Sequence, residues 1–314
     1  MHTREPINLL YIASIGRSGS TLLDSMLGAH SHVDSVGEIH IWPHELLGGG
    51  IRATGSGLMV QDDPFWQEML GRVDPLAQPG PQLHHFREAH DAGRTLRLER
   101  VADFGPGPLP RSVAAQVDAY GRNNYEIFRA FQDTVEAATG RRPAWIVDAS
   151  KDPYRLIWLI RSGWFNVRVV HMVKNPRGFI YSVTKPHIHA SDHGRRLAWT
   201  FRQAGAWNVR NALIQRAARH HLAPDHYLLV QYEAFASDPR HWFAQICTLA
   251  GLPFEAEAVE SFRAGCPFAI AGNPMRAESR GIYLDEKWKR ELPRTSRLLT
   301  ELITRPTMGR YGYS

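Results

Sequence analysis

Short apolar runs and stretches of 3.6-residue periodicity alternate along the chain. Ile7 to Ile12 is an apolar run with β-branched and aromatic members, the pattern of a strand buried on both faces. From Ser20 onward, Leu22, Leu23, Met26 and Leu27 take the spacing of a helix packed on a sheet. Val33 to Val36 predicts a short second strand. Ser112 to Thr139 carries Val113, Val117, Tyr120, Ile127, Phe128, Phe131 and Val135 at helical positions, and Gly140 ends it. Trp145 to Val147 reads as the next strand, followed by a helix opened by Pro153 and running to Ile160. Val167 to Val173 and Tyr227 to Val230 are further strands, separated by a long helix over Arg195 to His221. Asp238-Pro239 starts a helix that stops at Gly251, and a terminal helix lies near Pro293 to Ile303. This alternation predicts an α/β fold of three layers, α/β/α, with a central, mostly parallel sheet and right-handed crossovers.

Residues 48–110 fit the scheme least. Gly48-Gly49-Gly50, Pro75, Pro79-Gly80-Pro81 and Gly105-Pro106-Gly107-Pro108 interrupt them, with room for a short helix from Asp63 to Leu70. The stretch reads either as an insertion or lid over the active site or as a surface excursion without function. No repeat, low-complexity tract or shift of composition divides residues 1–314, so one domain is expected.

Composition narrows the function classes. The apolar share of 43% and charged share of 22% are those of an ordinary soluble protein. The 37 Lys and Arg exceed the 31 Asp and Glu only modestly and are spread along the chain. That suits an anionic ligand and gives no basic run for nucleic acid. Two cysteines, Cys247 and Cys266, exclude a disulfide framework and a Cys-rich zinc site. His84, His85 and His90 lack any supporting ligand pattern and read as solvated, so no metal is expected. No run reaches membrane-spanning length, and Met1 to Pro6 is too short and polar for a signal peptide. The chain reads as cytoplasmic, and its Ala, Arg and Gly richness as bacterial.

The densest chemistry follows the first strand. Gly16, Arg17, Ser18, Gly19, Ser20 and Thr21 form a glycine turn leading into a helix N-terminus. Unpaired amides and the helix dipole favour a phosphate there, with Arg17 and the hydroxyls adding charge and donors. This is not a Walker A loop, because Ser20 stands where lysine is required. Gly-Arg-Ser-Gly-Ser-Thr resembles instead the 5′-phosphosulfate loop of sulfotransferases. Four more features also follow strand ends: Gly37-Glu38, Asp148 to Lys151, Lys174 to Ser182, and Tyr232-Glu233. A parallel sheet gathers such ends along one edge. As a set they resemble the sulfotransferases that use 3′-phosphoadenosine-5′-phosphosulfate (PAPS), over most of the chain except roughly 48–110.

The resemblance implies a P-loop-type fold and a set of roles. The family's second signature is Arg-Asp-Pro-Arg with a Ser eight residues after the first Arg, and that Arg and Ser hold the 3′-phosphate. Lys174, Asn175, Pro176, Arg177 and Ser182 match it with the spacing kept. Lys174 keeps the charge and loses the bidentate fork. Arg177 is either a second phosphate contact or a helix-face ion pair, and Ser182 either a ligand or a hydroxyl bonded to its own helix. Tyr232 matches the family's adenine-contacting tyrosine. Arg276, Arg280 and Gly281 fall where the family has a loop over the 3′-phosphate and adenine. Arg17 and Lys151 supply positive charge to the transferring group, and no metal is required. The cytosolic members' histidine base has no counterpart in Asp-Ala-Ser-Lys-Asp. Tyrosylprotein sulfotransferases use the glutamate of a Gly-Glu pair, which matches Gly37-Glu38 and makes Glu38 the candidate base. Burial can raise a carboxylate from about 4.3 toward the ~6–7 suited to that work. An ion pair with Arg17 or another cation is the alternative for Glu38. His40 and His44 are reserve candidates that read better as core or surface residues.

The implied reaction moves a sulfuryl group from PAPS to a hydroxyl of a small-molecule acceptor, leaving 3′,5′-ADP. A P-loop kinase or nucleotide hydrolase, and a non-catalytic phosphonucleotide-binding protein, are the alternatives. Trp42, Phe65 and Trp66, or Trp199, Phe201 and Trp207, are either an acceptor wall or core. Acceptor identity and oligomeric state are left open.

Overall fold

A computed structural model describes residues 5–42, 45, 52–73, 98–185, 193–270 and 281–314. In chain order the elements begin β1 (Ile7–Ser14), α1 (Ser20–Gly28), β2 (Val33–Gly37), α2 (Pro64–Arg72), α3 (Arg111–Thr139) and β3 (Trp145–Asp148). Next come α4 (Pro153–Ser162), β4 (Phe165–Val173), α5 (Pro176–Thr184), α6 (His193–His221), β5 (Tyr227–Gln231) and α7 (Tyr232–Ser237). The chain continues through α8 (Pro239–Ala250), α9 (Ala256–Glu260), α10 (Trp288–Glu291) and α11 (Arg294–Met308).

The sheet has five strands in the order β2-β3-β1-β4-β5. Every pair is parallel. β1 lies centrally, so alternate residues bury on opposite faces. Leu9, Tyr11 and Ala13 join a core with α3 and α4, through Phe128, Phe131, Ile157 and Trp158. Leu10 and Ile12 join a second core with α1 and α8, through Leu23, Met26, Phe243 and Ile246. This double burial is why the central strands read as mostly apolar runs rather than alternating ones. From β1 the chain builds β2 and β3 on one side, then crosses β1 to add β4 and β5 on the other, which makes the carboxyl end of β1 the topological switch point where ligands bind in such sheets.

Asp152, Asn175 and Asp238 each accept a backbone amide at the start of α4, α5 and α8, and a proline follows each. Asn175 therefore does the capping work that an aspartate does equally well. Gly140 closes α3 in the left-handed region at φ 70°.

The described part of the 48–110 stretch is not a loose excursion. Val60, Trp66, Met69 and Phe104 are buried in the same core as α3. Phe65 stacks on Phe268 with centroids 4.0 Å apart, and Trp66 Nε1 donates to the Phe268 carbonyl at 3.0 Å. Trp42, Trp66 and Trp207 are fully buried, so these indoles are core and wall no cavity. His84, His85 and His90 lie outside the described residues. Among the described residues, no helix is long and apolar enough to cross a membrane, and no cluster of three or more His, Cys, Asp or Glu is disposed to hold a metal ion.

His171 on β4 is a buried imidazole with a fixed tautomer. Asn211 Nδ2 donates to the Trp207 carbonyl at 2.9 Å, so its Oδ1 accepts from His171 Nε2–H at 3.0 Å. Tyr227 donates its hydroxyl to His171 Nδ1 at 2.8 Å. Burial pushes the pKa of His171 down to about 4. Between that value and about 6.5, the unfolded chain binds a proton that the folded chain refuses. Stability is therefore full above pH 6.5 and falls as the pH drops through this window. Urea unfolding at pH 7 and pH 5 should differ by about 2 kcal/mol from this group, and His171→Gln should remove that share. An unchanged pH dependence in the variant would show that His171 does not titrate this way.

Candidate active site

Three groups of residues stand at the carboxyl edge of the sheet. The first is the loop between β1 and α1. Arg17 and Gly19 both have left-handed backbone, at φ 69° and 83°. For Arg17 this costs on the order of 1 kcal/mol, strain of the kind that collects at ligand-binding turns. Gly19 is required for a second reason: a Cβ there would meet the Tyr232 ring at 2.4 Å. Gly16 has neither a positive φ nor any atom within 4 Å of a built Cβ, so the turn itself does not demand it. No side chain caps α1. The Leu22 and Leu23 amides donate to the Gly19 carbonyl at 3.0 and 3.2 Å; among the described residues the Ser20 and Thr21 amides have no such partner and keep their donors for something else. Ser14 Oγ and Ser18 Oγ are buried and have no hydrogen-bond partner among the described residues. Buried hydroxyls are rarely left so, and the Ser18 Oγ fits a loop shaped to take an anion.

The second group stands at the end of β4, which the pairing of Ser14 with Met172 places beside the loop. Lys174 is buried, with 6% of its surface exposed. Its ammonium donates to Ser182 Oγ at a long 3.4 Å and lies 4.5 Å from the centroid of the Tyr232 ring. Ser182 Oγ also donates to the Gly178 carbonyl at 2.8 Å, so the hydroxyl faces both its helix and the lysine. Burial lowers the pKa of Lys174; Glu233 and Asp285 oppose the fall, and the Arg17 charge adds to it. Three ammonium protons with one long hydrogen bond leave capacity for an anion. Tyr232 joins the two groups, with its ring against Gly19 on one side and Lys174 on the other. Burial raises its hydroxyl to about 12, with the Asp285 amide hydrogen-bonded to it. Glu233 braces the junction by accepting from the Asn175 amide at 3.0 Å and the Tyr313 hydroxyl at 2.7 Å.

Arg177 is engaged elsewhere. Its Nε donates to Glu301 Oε1 at 2.6 Å and its Nη1 to the Ser314 carbonyl at 2.8 Å, tying α5 to the C-terminal helix. This is the helix-face ion pair rather than a free cation. Gly281 is exposed, while Arg276 and Arg280 lie outside the described residues.

The third group joins β2 and β3. Gly37 pairs with Asp148, which sets the two following loops side by side. Gly37 has φ 66°, and a Cβ there would lie 2.3 Å from the Ile270 carbonyl oxygen. The Ile270 carbonyl accepts from the Glu38 amide at 2.9 Å, and the Gly37 carbonyl from the Ala149 amide at 2.8 Å. The Glu38 carboxylate so placed accepts from Lys151 Nζ at 2.6 Å. Arg52 Nη1 stands 4.0 Å from the other carboxylate oxygen, and Arg52 also neighbours Glu45 at 4.0 Å. Glu38 is paired with Lys151 rather than with Arg17. His40 is buried, its backbone amide 3.4 Å from Ser150 Oγ; His44 lies outside the described residues.

Lys151 itself has left-handed backbone, φ 64°. What holds it there is a buried network the sequence pattern did not reveal. Asp148 accepts from the Ser150 amide at 2.8 Å and from Arg155 Nε at 2.8 Å. Arg155 Nη1 donates to Tyr120 Oη and Asn124 Oδ1, both at 2.7 Å. Burial works against the Arg155 charge, yet Asp148 and the neighbouring tyrosines hold its pKa above the ordinary arginine value. Arg52 and this network were missed because no local motif marks either.

Residues 10–256 match the model of a family described as "Sulfotransferase family". The sulfotransferase domain of the Synechococcus PCC 7002 olefin synthase is similar in structure, with a TM-score of 0.56, 21% identity and 97% of each chain covered. Sulfotransferase STF9 from Mycobacterium avium is similar with a TM-score of 0.53 and 13% identity, over 99% of this chain and 78% of its own. At these identities the likeness is one of fold. No curated protein matches the chain.

Proposed function

Since the chain belongs to the sulfotransferase family, we propose that it transfers a sulfuryl group from PAPS to a hydroxyl of a small-molecule acceptor. The observation that carries this reading is the pair of anion seats bridged by Tyr232: the loop 16–21 with its uncapped helix and orphaned Ser18 hydroxyl, and the buried, under-partnered Lys174. Two seats suit a nucleotide with phosphates at both ends. The loop amides, Ser18, Ser20 and Thr21 hold the 5′ side. Lys174 and Ser182 hold the 3′-phosphate, with the Tyr232 ring alongside the adenine.

The donor supplies an activated sulfur whose bond to the bridging phosphate oxygen breaks as the acceptor oxygen bonds to it. Glu38 takes the acceptor's proton. Lys151 first orients that carboxylate, then offers its charge to the sulfuryl oxygens, and Arg17 does the same from the loop. Ser20 stands where a nucleotide kinase needs its lysine, which weighs against ATP chemistry. Incubation with ³⁵S-labelled PAPS and a panel of phenols, alcohols, sugars and lipids tests the reading. Transfer of label to at least one hydroxyl compound, with no turnover of MgATP, is expected. Hydrolysis of MgATP, with label retained on the donor across the panel, would overturn it.

A further inference from the structure

A second cleft of about 860 Å³ lies away from this site, lined by the C-terminal part of α6, the turn after it, Tyr227 and Arg310. Tyr227 opens β5, and Gln231 at its other end adjoins Tyr232. The cleft is therefore about 13 Å of extended chain from the active-site edge, at the opposite end of the strand.

Its lining has two parts. Arg216, Arg219, His220 and Arg310 bring cationic or protonatable groups, and among the described residues no carboxylate lines it. Leu222, Ala223, Pro224 and the Tyr227 ring supply apolar surface. Arg216 donates through Nε to the Phe104 carbonyl at 3.2 Å, which fixes its guanidinium. Arg219 and Arg310 make no ion pair or hydrogen bond among the described residues. Cations in the last turn of a helix are expected from its dipole alone, and that accounts for Arg219 and His220. Arg310 stands likewise in the short helical turn that continues α11; the dipoles do not account for two separate helix ends bringing their cations to one cleft, nor for the apolar floor. Concave apolar surface with a few convergent charges is the form of a small-molecule site.

We propose that this cleft binds an anionic amphiphile: a single carboxylate or sulfate head between Arg219 and Arg310, with an apolar body on Leu222, Pro224 and Tyr227. Arginine favours such heads because its planar fork pairs with two oxygens at once. The site is separate from the proposed nucleotide seats and stands whether or not the chain transfers sulfate.

Calorimetric titration of the full chain with octyl sulfate, decanoate and neutral octyl glucoside tests it, each below its critical micelle concentration. The two anions distinguish a sulfate-ester head from a carboxylate head. Saturable one-to-one binding of at least one anion is expected, unaffected by saturating 3′,5′-ADP. That binding should weaken fivefold or more in Arg219→Gln and again in Arg310→Gln. Both side chains are exposed and unpaired, so these variants fold as the parent does. Binding that survives both substitutions, equal binding of the glucoside, displacement by 3′,5′-ADP, or no binding of either anion would each overturn the proposal.

Discussion

Glu38→Gln should lower kcat by about 10²- to 10⁴-fold, the usual contribution of a positioned general base. Donor affinity should stay within about threefold of the parent. The amide keeps the shape of the carboxylate and its place beside Lys151, 2.6 Å away in the parent, but it accepts no proton. The backbone that aims residue 38 is untouched, because the Ile270 and Gly37 hydrogen bonds are main-chain. Single-turnover kinetics with labelled donor separates the chemical step from binding. A variant with parental kcat would remove Glu38 from the mechanism and turn attention to Lys151 and His40.

Arg155→Leu should destabilise the fold by about 3–5 kcal/mol, as breaking a buried ion pair does. The change leaves Asp148 Oδ2 and the Asn124 side-chain oxygen without their donor in a dry interior and takes one donor from the Tyr120 hydroxyl. Against a typical total of 5–15 kcal/mol, that loss is large. The double variant Asp148→Asn with Arg155→Leu should lose less than the two single losses added, since the second change removes a charge the first had orphaned. Urea unfolding of the four proteins measures this. A single-variant loss below about 1 kcal/mol would mean that the network is not what holds the Lys151 loop.

The strands and most helices were legible because burial on both faces of a parallel sheet leaves mostly apolar runs, as in Leu9–Ala13 and, with His171 the one polar interruption, Val169–Val173. α7 was not, because six residues from Tyr232 to Ser237 are too few to show a period. The candidate site residues were legible where a motif spaced them locally, as Lys174 and Ser182 are. Their partners were not. Glu38 and Lys151 are 113 positions apart, and only the register of β2 on β3 makes them neighbours. Arg177 matched its motif, yet its guanidinium meets Glu301, 124 positions away. Asp148 and Arg155 each look like surface charges until the start of α4 folds one onto the other in the core.

Central to the account are two anion seats that grip opposite ends of one nucleotide. Calorimetric titration with 3′,5′-ADP and 5′-AMP, on the parent and on Lys174→Ala, addresses it most directly. The parent should prefer 3′,5′-ADP by about 10- to 100-fold, the worth of one hydrogen-bonded charge contact of about 1.5–3 kcal/mol. Lys174→Ala should bring the two nucleotides within about threefold of each other while leaving 5′-AMP affinity unchanged. Equal affinities in the parent, or a preference that persists without Lys174, would contradict the account.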